Sequence, residues 1–221
     1  MPINAIDVFG SSYIGLYCKG TEGLAILPLG IAKRKIEVFR ETLGVDVCST
    51  DIGGCRLVGA LVAANSSGIA VPHITEELEL SRITSVTDVN VMVMDEKRTA
   101  LGNLIVVNDN GAVVDPGFSA STIKALSELF NVEVVTGEIS GLTCVGVSAI
   151  ATNRGVLSHP SIREEEKRKL EEVLKVPVDT GTVNGGVPYV RAGLVANSNG
   201  AVVGPTMTGP ELMAITRTLS I

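Results

Sequence analysis

The sequence predicts an α/β fold in which five copies of one ββαβ unit stand in a ring, closed by the N-terminal strand. Three observations predict it. Prolines recur as Pro28, Pro72, Pro116, Pro160 and Pro205, at steps of 44, 44, 44 and 45, and a fifth of the 221 residues is 44.2. Turn sequences rich in Asn and Gly stand before these prolines, between two apolar runs. Helical periodicity begins shortly after each proline. Self-similarity at such a period marks a repeat architecture.

Each unit opens with a predicted β-hairpin. Asn65-Ser-Ser-Gly68, Asn108-Asp-Asn-Gly111, Asn153-Arg-Gly155 and Asn197-Ser-Asn-Gly200 are turn texts, since Asn and Gly tolerate positive φ. Their flanks are Leu57–Ala64 with Ile69–Val71, Leu104–Val107 with Ala112–Val114, and Val195–Ala196 with Ala201–Val203. The proline ends the second strand because it has no donor for the ladder. One glycine series, Gly23, Gly68, Gly111, Gly155 and Gly200, marks the turns; another, Gly15, Gly59, Gly102, Gly146 and Gly193, predicts strand irregularity or close backbone approach near the axis.

A helix follows each hairpin. Ser161 with Glu164 and Thr208 with Glu211 read as capping boxes, Pro210 being tolerated in the first turn. Apolar residues then recur at helical spacing: Ile36, Phe39 and Leu43; Ile123, Leu126 and Leu129; Leu170, Val173 and Leu174; Leu212, Ile215 and Leu219. The charged run Arg163 to Lys169 reads as a solvated outer face.

A short strand ends four units: Val45–Cys48, Val89–Met94, Val132–Val135 and Val176–Val178. The fifth unit stops at Ile221 without one, and Ile3–Phe9 is a surplus strand at the start. Pairing the two closes the ring and removes an open sheet edge. The expected organisation is one domain of five units, about 10–52, 53–96, 97–140, 141–185 and 186–221, closed by 1–9.

Composition excludes several classes. The net charge is −6, from 18 Lys+Arg against 24 Asp+Glu, and there are seven aromatics with no Trp. Gripping bare nucleic acid needs a basic stripe and stacking platforms, so a basic protein partner suits the chain better. Mean hydropathy is +0.37, yet the apolar runs are far shorter than the roughly 20 residues of a spanning helix. No basic residue precedes an apolar run at the N-terminus, so a secretory leader is not expected. Cys18, Cys48, Cys55 and Cys144 form no CxxC pair, and His73 and His159 are the two histidines, so reduced thiols are expected and no metal site.

A closed ββαβ ring of five resembles the pentein fold. Asp51-Ile-Gly-Gly-Cys-Arg56, Leu101-Gly-Asn103 with Asn108-Asp109, and Lys175-Val-Pro-Val178 leading to Gly181-Thr-Val-Asn-Gly185 are similar to motifs of the translation initiation factor 6 family. Asn65, Gly68 and Val71-Pro72 fit the same pattern. The resemblance covers all five units, and the end at Ile221, without a further tail, is similar to the archaeal form.

The resemblance implies a cytoplasmic, monomeric factor without cofactor or metal. It implies binding to the joining face of the large ribosomal subunit, through ribosomal proteins near the sarcin–ricin loop and some ribosomal RNA. It implies steric exclusion of the small subunit and a role in late large-subunit maturation. The opening residues of each unit's first strand are expected on one rim, giving Arg56, Ala60, Arg98, Asn103, Ser148, Tyr189 and Arg191 as ribosome-binding candidates. Asn103 falls at the family's Ala-Leu-Gly-Asn position. Ala60 and Ser148 are small, so anchors that relatives use there are missing. Tyr and Arg dominate interface hot spots, which favours Tyr189 and the arginines.

Two other readings stand beside it. Pentein folds also host guanidine-modifying enzymes with a Cys nucleophile, a His and acidic partners. Cys144 or Cys55 could serve, but no Cys lies from Val145 onward, where those enzymes carry theirs. A scaffold ring with unrelated partners is the third reading.

Overall fold

The structure is a computed structural model that describes residues 2–221. It holds five three-stranded sheets. Each has an antiparallel hairpin, and in four of them a third strand returns parallel after a helix. In the third unit, Ile105–Val107 pairs with Gly111–Val114, the helix Ala120–Phe130 follows, and Glu133–Thr136 lies parallel to Gly111–Val114. The fifth sheet takes its third strand from the chain's start: Ile3, Asn4 and Ala5 pair in parallel with Ala201, Val202 and Val203. The predicted closure is present, with a strand of three residues where the sequence suggested seven. Phe9 lies in a turn with φ 52° instead.

The hydrophobic cores lie between units, not within them. Leu126 and Phe130 of the third helix pack with Ala63 and Ala70 of the second sheet. Leu170 and Leu174 of the fourth helix meet Val106 and Val113 of the third sheet, and Ile215 and Leu219 of the fifth meet Ile150 and Leu157 of the fourth. Around the seam, Phe39 and Leu43 of the first helix pack on Val195 and Val202 of the fifth sheet. Strand alternation makes this possible. Leu24 and Ile26 face the core shared with the second unit, and Ala25 and Leu27 face the core shared with the fifth. Strands buried on both faces account for the high mean hydropathy.

Two readings of the turns and helix starts change. Ahead of each hairpin stands a one-turn helix: Ile14–Tyr17, Val58–Leu61, Leu101–Leu104, Val145–Ser148 and Val190–Gly193. Much of Leu57–Ala64, read as strand, is therefore helical, and the strand is Ala63–Ala64. Second, Ser161 with Glu164 is not a capping box. The helix begins at Glu164, and Glu166 reaches back to the Arg163 N–H at 2.9 Å. At the fifth helix, Glu211 accepts from the Thr208 N–H and hydroxyl as expected.

Candidate docking face and axial channel

The five one-turn helices ring the axis at one end of the molecule. Their close approach requires glycine. A Cβ on Gly59 would overlap the Gly15 carbonyl oxygen, and one on Gly102 would overlap that of Gly59. Gly15 and Gly146 complete the set, but Gly193 does not belong to it. Alignment of the one-turn helices places Arg191 at the glycine position. The step from Gly146 to Gly193 is 47, whereas that to Arg191 is 45, as between Pro160 and Pro205.

Arg191 is therefore not a rim residue. It is 7% exposed, and its Nη1 donates across the axis to the carbonyls of Gly59 at 2.7 Å and Gly102 at 3.1 Å. Burial lowers its guanidinium to about 10, so it stays charged at neutral pH. Ser148 is buried and its Oγ donates to the Cys144 carbonyl; Ala60 is also buried. These three sit in one-turn helices, not at strand ends, and their side chains are withdrawn from the surface. Asn103 is half-buried, with its carboxamide oxygen unpartnered among the described residues.

Arg56, Arg98 and Tyr189 do reach the surface. Arg56 lies over the Phe9 ring, 4.9 Å from its centroid. Arg98 pairs with the buried carboxylate of Asp115. Tyr189 is 43% exposed and meets His159 edge-on. Tyr189 is the residue preceding its one-turn helix, and Tyr13 and Leu57 hold the same place in the first two units, both exposed. With Phe9 they give this end exposed apolar side chains beside arginines, the pairing typical of binding surfaces. The sequence reading missed Phe9, Tyr13 and Leu57; superposing the units on Tyr189 would have found two of them.

At the other end the turns are bound to one another. Asn108 Nδ2 donates to the Thr152 carbonyl of the next turn and to the Leu174 carbonyl ending the next helix, at 3.0 and 2.9 Å. Its Oδ1 accepts from Asn110 N–H and Gly111 N–H. Asn65 and Asn197 repeat the pattern. In the fourth unit Thr152 holds the place, not Asn153, which instead bonds Asp109 through its side chain. These residues form their turns and also join neighbouring units.

Glu211 is clamped into the loop before the fifth one-turn helix. Burial opposes its charge, but donation from Thr208, Gly185 and Gly186 N–H groups and from the Thr182 hydroxyl holds the carboxyl at about 2. Glu79 and Glu166 accept from the equivalent loop N–H groups, Gly53 and Gly54, and Ser140 and Gly141.

A narrow channel runs along the axis. Its upper cavity, about 20 Å³, is bounded by Cys18, Lys19, Val106, Ile150 and Arg191. A second cavity of similar volume shares Lys19 and opens among the turns by Glu22 and Asp109. Burial and the Arg191 charge, partly opposed by the Asp109 carboxylate, push the Lys19 ammonium down to about 7, and burial pushes the Cys18 thiol well up.

The ring of five ββαβ units, closed by the N-terminal strand, is a pentein-class α/β fold. The model of the eIF-6 family matches residues 3–218. Proteins named translation initiation factor 6 are 39% identical: that of Pyrococcus abyssi over 100% of both chains, and that of Methanocaldococcus jannaschii over 96% of this chain and 95% of its own. A solved dimethylarginine dimethylaminohydrolase gives a TM-score of 0.49 at 13% identity, over 76% of this chain and 68% of that one. The chain belongs to the eIF-6 family. No helix among its described residues is long and apolar enough to cross a membrane.

Proposed function

We propose that this chain acts in the cytoplasm as a translation initiation factor that docks on the joining face of the large ribosomal subunit and bars the small one. The observation that carries the reading is the family match along nearly the whole chain, with full-length relatives named as initiation factors. The exposed Phe9, Tyr13, Arg56, Leu57 and Tyr189 at one end supply a surface suited to a protein partner. Ribosomal proteins near the sarcin–ricin loop are that partner, with ribosomal RNA as a lesser contact and late subunit maturation as a second role. The mechanism is steric: a rigid ring occupies ground that bridges between subunits need, and no bond is made or broken.

Rigidity follows from cores shared between all neighbours, so the ring resists local deformation. Guanidine chemistry would need a thiolate and an imidazole brought together, but among the described residues no hydrogen bond joins Cys55 or Cys144 to a histidine: His73 bonds the Glu96 carbonyl and His159 the Ser161 N–H. The test is sedimentation of the monomer with isolated subunits. It should travel with the large subunit alone; equal binding to both would contradict the reading.

A further inference from the structure

We propose that the axial channel is a binding site for one monovalent, halide-sized anion, held between Arg191 and Lys19. Arg191 is more than nine-tenths buried, yet only its Nη1 hydrogen-bonds to the chain; its Nε and Nη2 hydrogens have no partner among the described residues. Neither nitrogen is sealed off, and the side chain lines the upper cavity, so these donors open onto it. Lys19 lines the same cavity and has neither a hydrogen bond nor an ion pair among the described residues.

Nothing in the upper cavity supplies a negative charge. Its walls are apolar strand residues, the two cations and Cys18, whose buried thiol stays protonated. Asp109 and Glu22 line the second cavity, from which the Asp109 charge acts on Lys19 but not on Arg191. Both are occupied: Asp109 accepts from the Ser66 N–H and hydroxyl at 2.8 Å each, and Glu22 from the Ser198 N–H and hydroxyl at 3.0 and 2.9 Å. A guanidinium buried without a counter-charge is costly, and an anion beside Arg191, within reach of Lys19, offsets that cost. The volume sets the size class. A cavity of about 20 Å³ admits one or two water-sized species, which fits chloride or bromide.

The test has two arms. The protein is purified and crystallised with bromide in place of chloride, and anomalous scattering is recorded at the bromine edge. A peak on the axis, in hydrogen-bonding reach of Arg191 and Lys19, is expected; water alone there overturns the proposal. In solution, melting is followed in sodium bromide or chloride against sodium gluconate at constant ionic strength. Halide should raise the wild-type Tm by about 5 °C in a saturable manner, and Lys19→Met should abolish the halide dependence. A wild-type Tm indifferent to halide overturns the proposal even with a crystal peak, which would then be an adventitious ion only.

Discussion

Glu211 shows how one side chain sets the acid limit of the fold. Its carboxyl is held at about 2 by donors from four residues, against 4.5 when unperturbed. A depressed carboxyl stabilises fully above the unfolded value and loses that stabilisation as pH falls from 4.5 through 2. The difference is worth about 3 kcal/mol. Glu211→Gln should therefore lower stability at pH 7 and flatten its decline between pH 5 and 2. Urea unfolding across that range checks it, and parallel wild-type and variant curves would contradict it. Tyr189 belongs to the surface instead. Tyr189→Ala should weaken large-subunit binding about 30-fold, as loss of a hot spot does, while leaving Tm within about 1 °C; unchanged affinity would move the docking surface elsewhere.

Single side chains also mark where the sequence reading stopped. Asn65, Asn108 and Asn197 were legible as turn formers, because positive-φ chemistry is local. Their bonds to the next unit's turn and helix end were not, because those partners lie 43 and 65 residues away for Asn65, 44 and 66 for Asn108, and 176 and 154 for Asn197 across the seam. Arg191 was misplaced for a related reason. A glycine series finds glycines, and the unit that departs from the series carries the charge that enters the axis.

At the scale of elements, hairpin strands and helices were legible because their periods differ and the unit repeats. The one-turn helices were not. Four residues are too few to show a period of 2 or of 3.6, and Leu57 to Ala64 reads as one run. The consequence reached the rim candidates: Ala60 and Ser148 were assigned to exposed strand ends and lie buried in those helices. Stability at this scale lies in the joints between units. Asn108→Ala removes two donations to the fourth unit and leaves the Thr152 and Leu174 carbonyls without that partner. It should cost about 2–3 kcal/mol, measured by urea unfolding. A cost below about 0.5 kcal/mol, ordinary for a surface change, would show that the asparagine serves its own turn alone.

For the whole molecule, the core between the first and fifth units depends on closure. Val8 is fully buried there, Ile6 packs beside it, and Ile3–Ala5 covers the fifth sheet's edge. Removing residues 1–9 should destabilise all five units together, lowering Tm by roughly 10 °C or more, with one cooperative transition. A truncated protein that melts like the parent would mean the ring does not act as a unit. Closure was legible at this scale because a surplus strand at one end matched a missing strand at the other. The axial cavity was not, since it arises only when five units bring their inner strands together.

The proposed obstruction depends on that closed ring, and subunit joining tests it most directly. Isolated large and small subunits are mixed with increasing amounts of the protein, and joined particles are followed by light scattering. The expected result is a saturable loss of joining, reached when the protein equals the large subunits in number and weakened by Tyr189→Ala. Joining that proceeds to the same extent with the protein in excess would contradict the account.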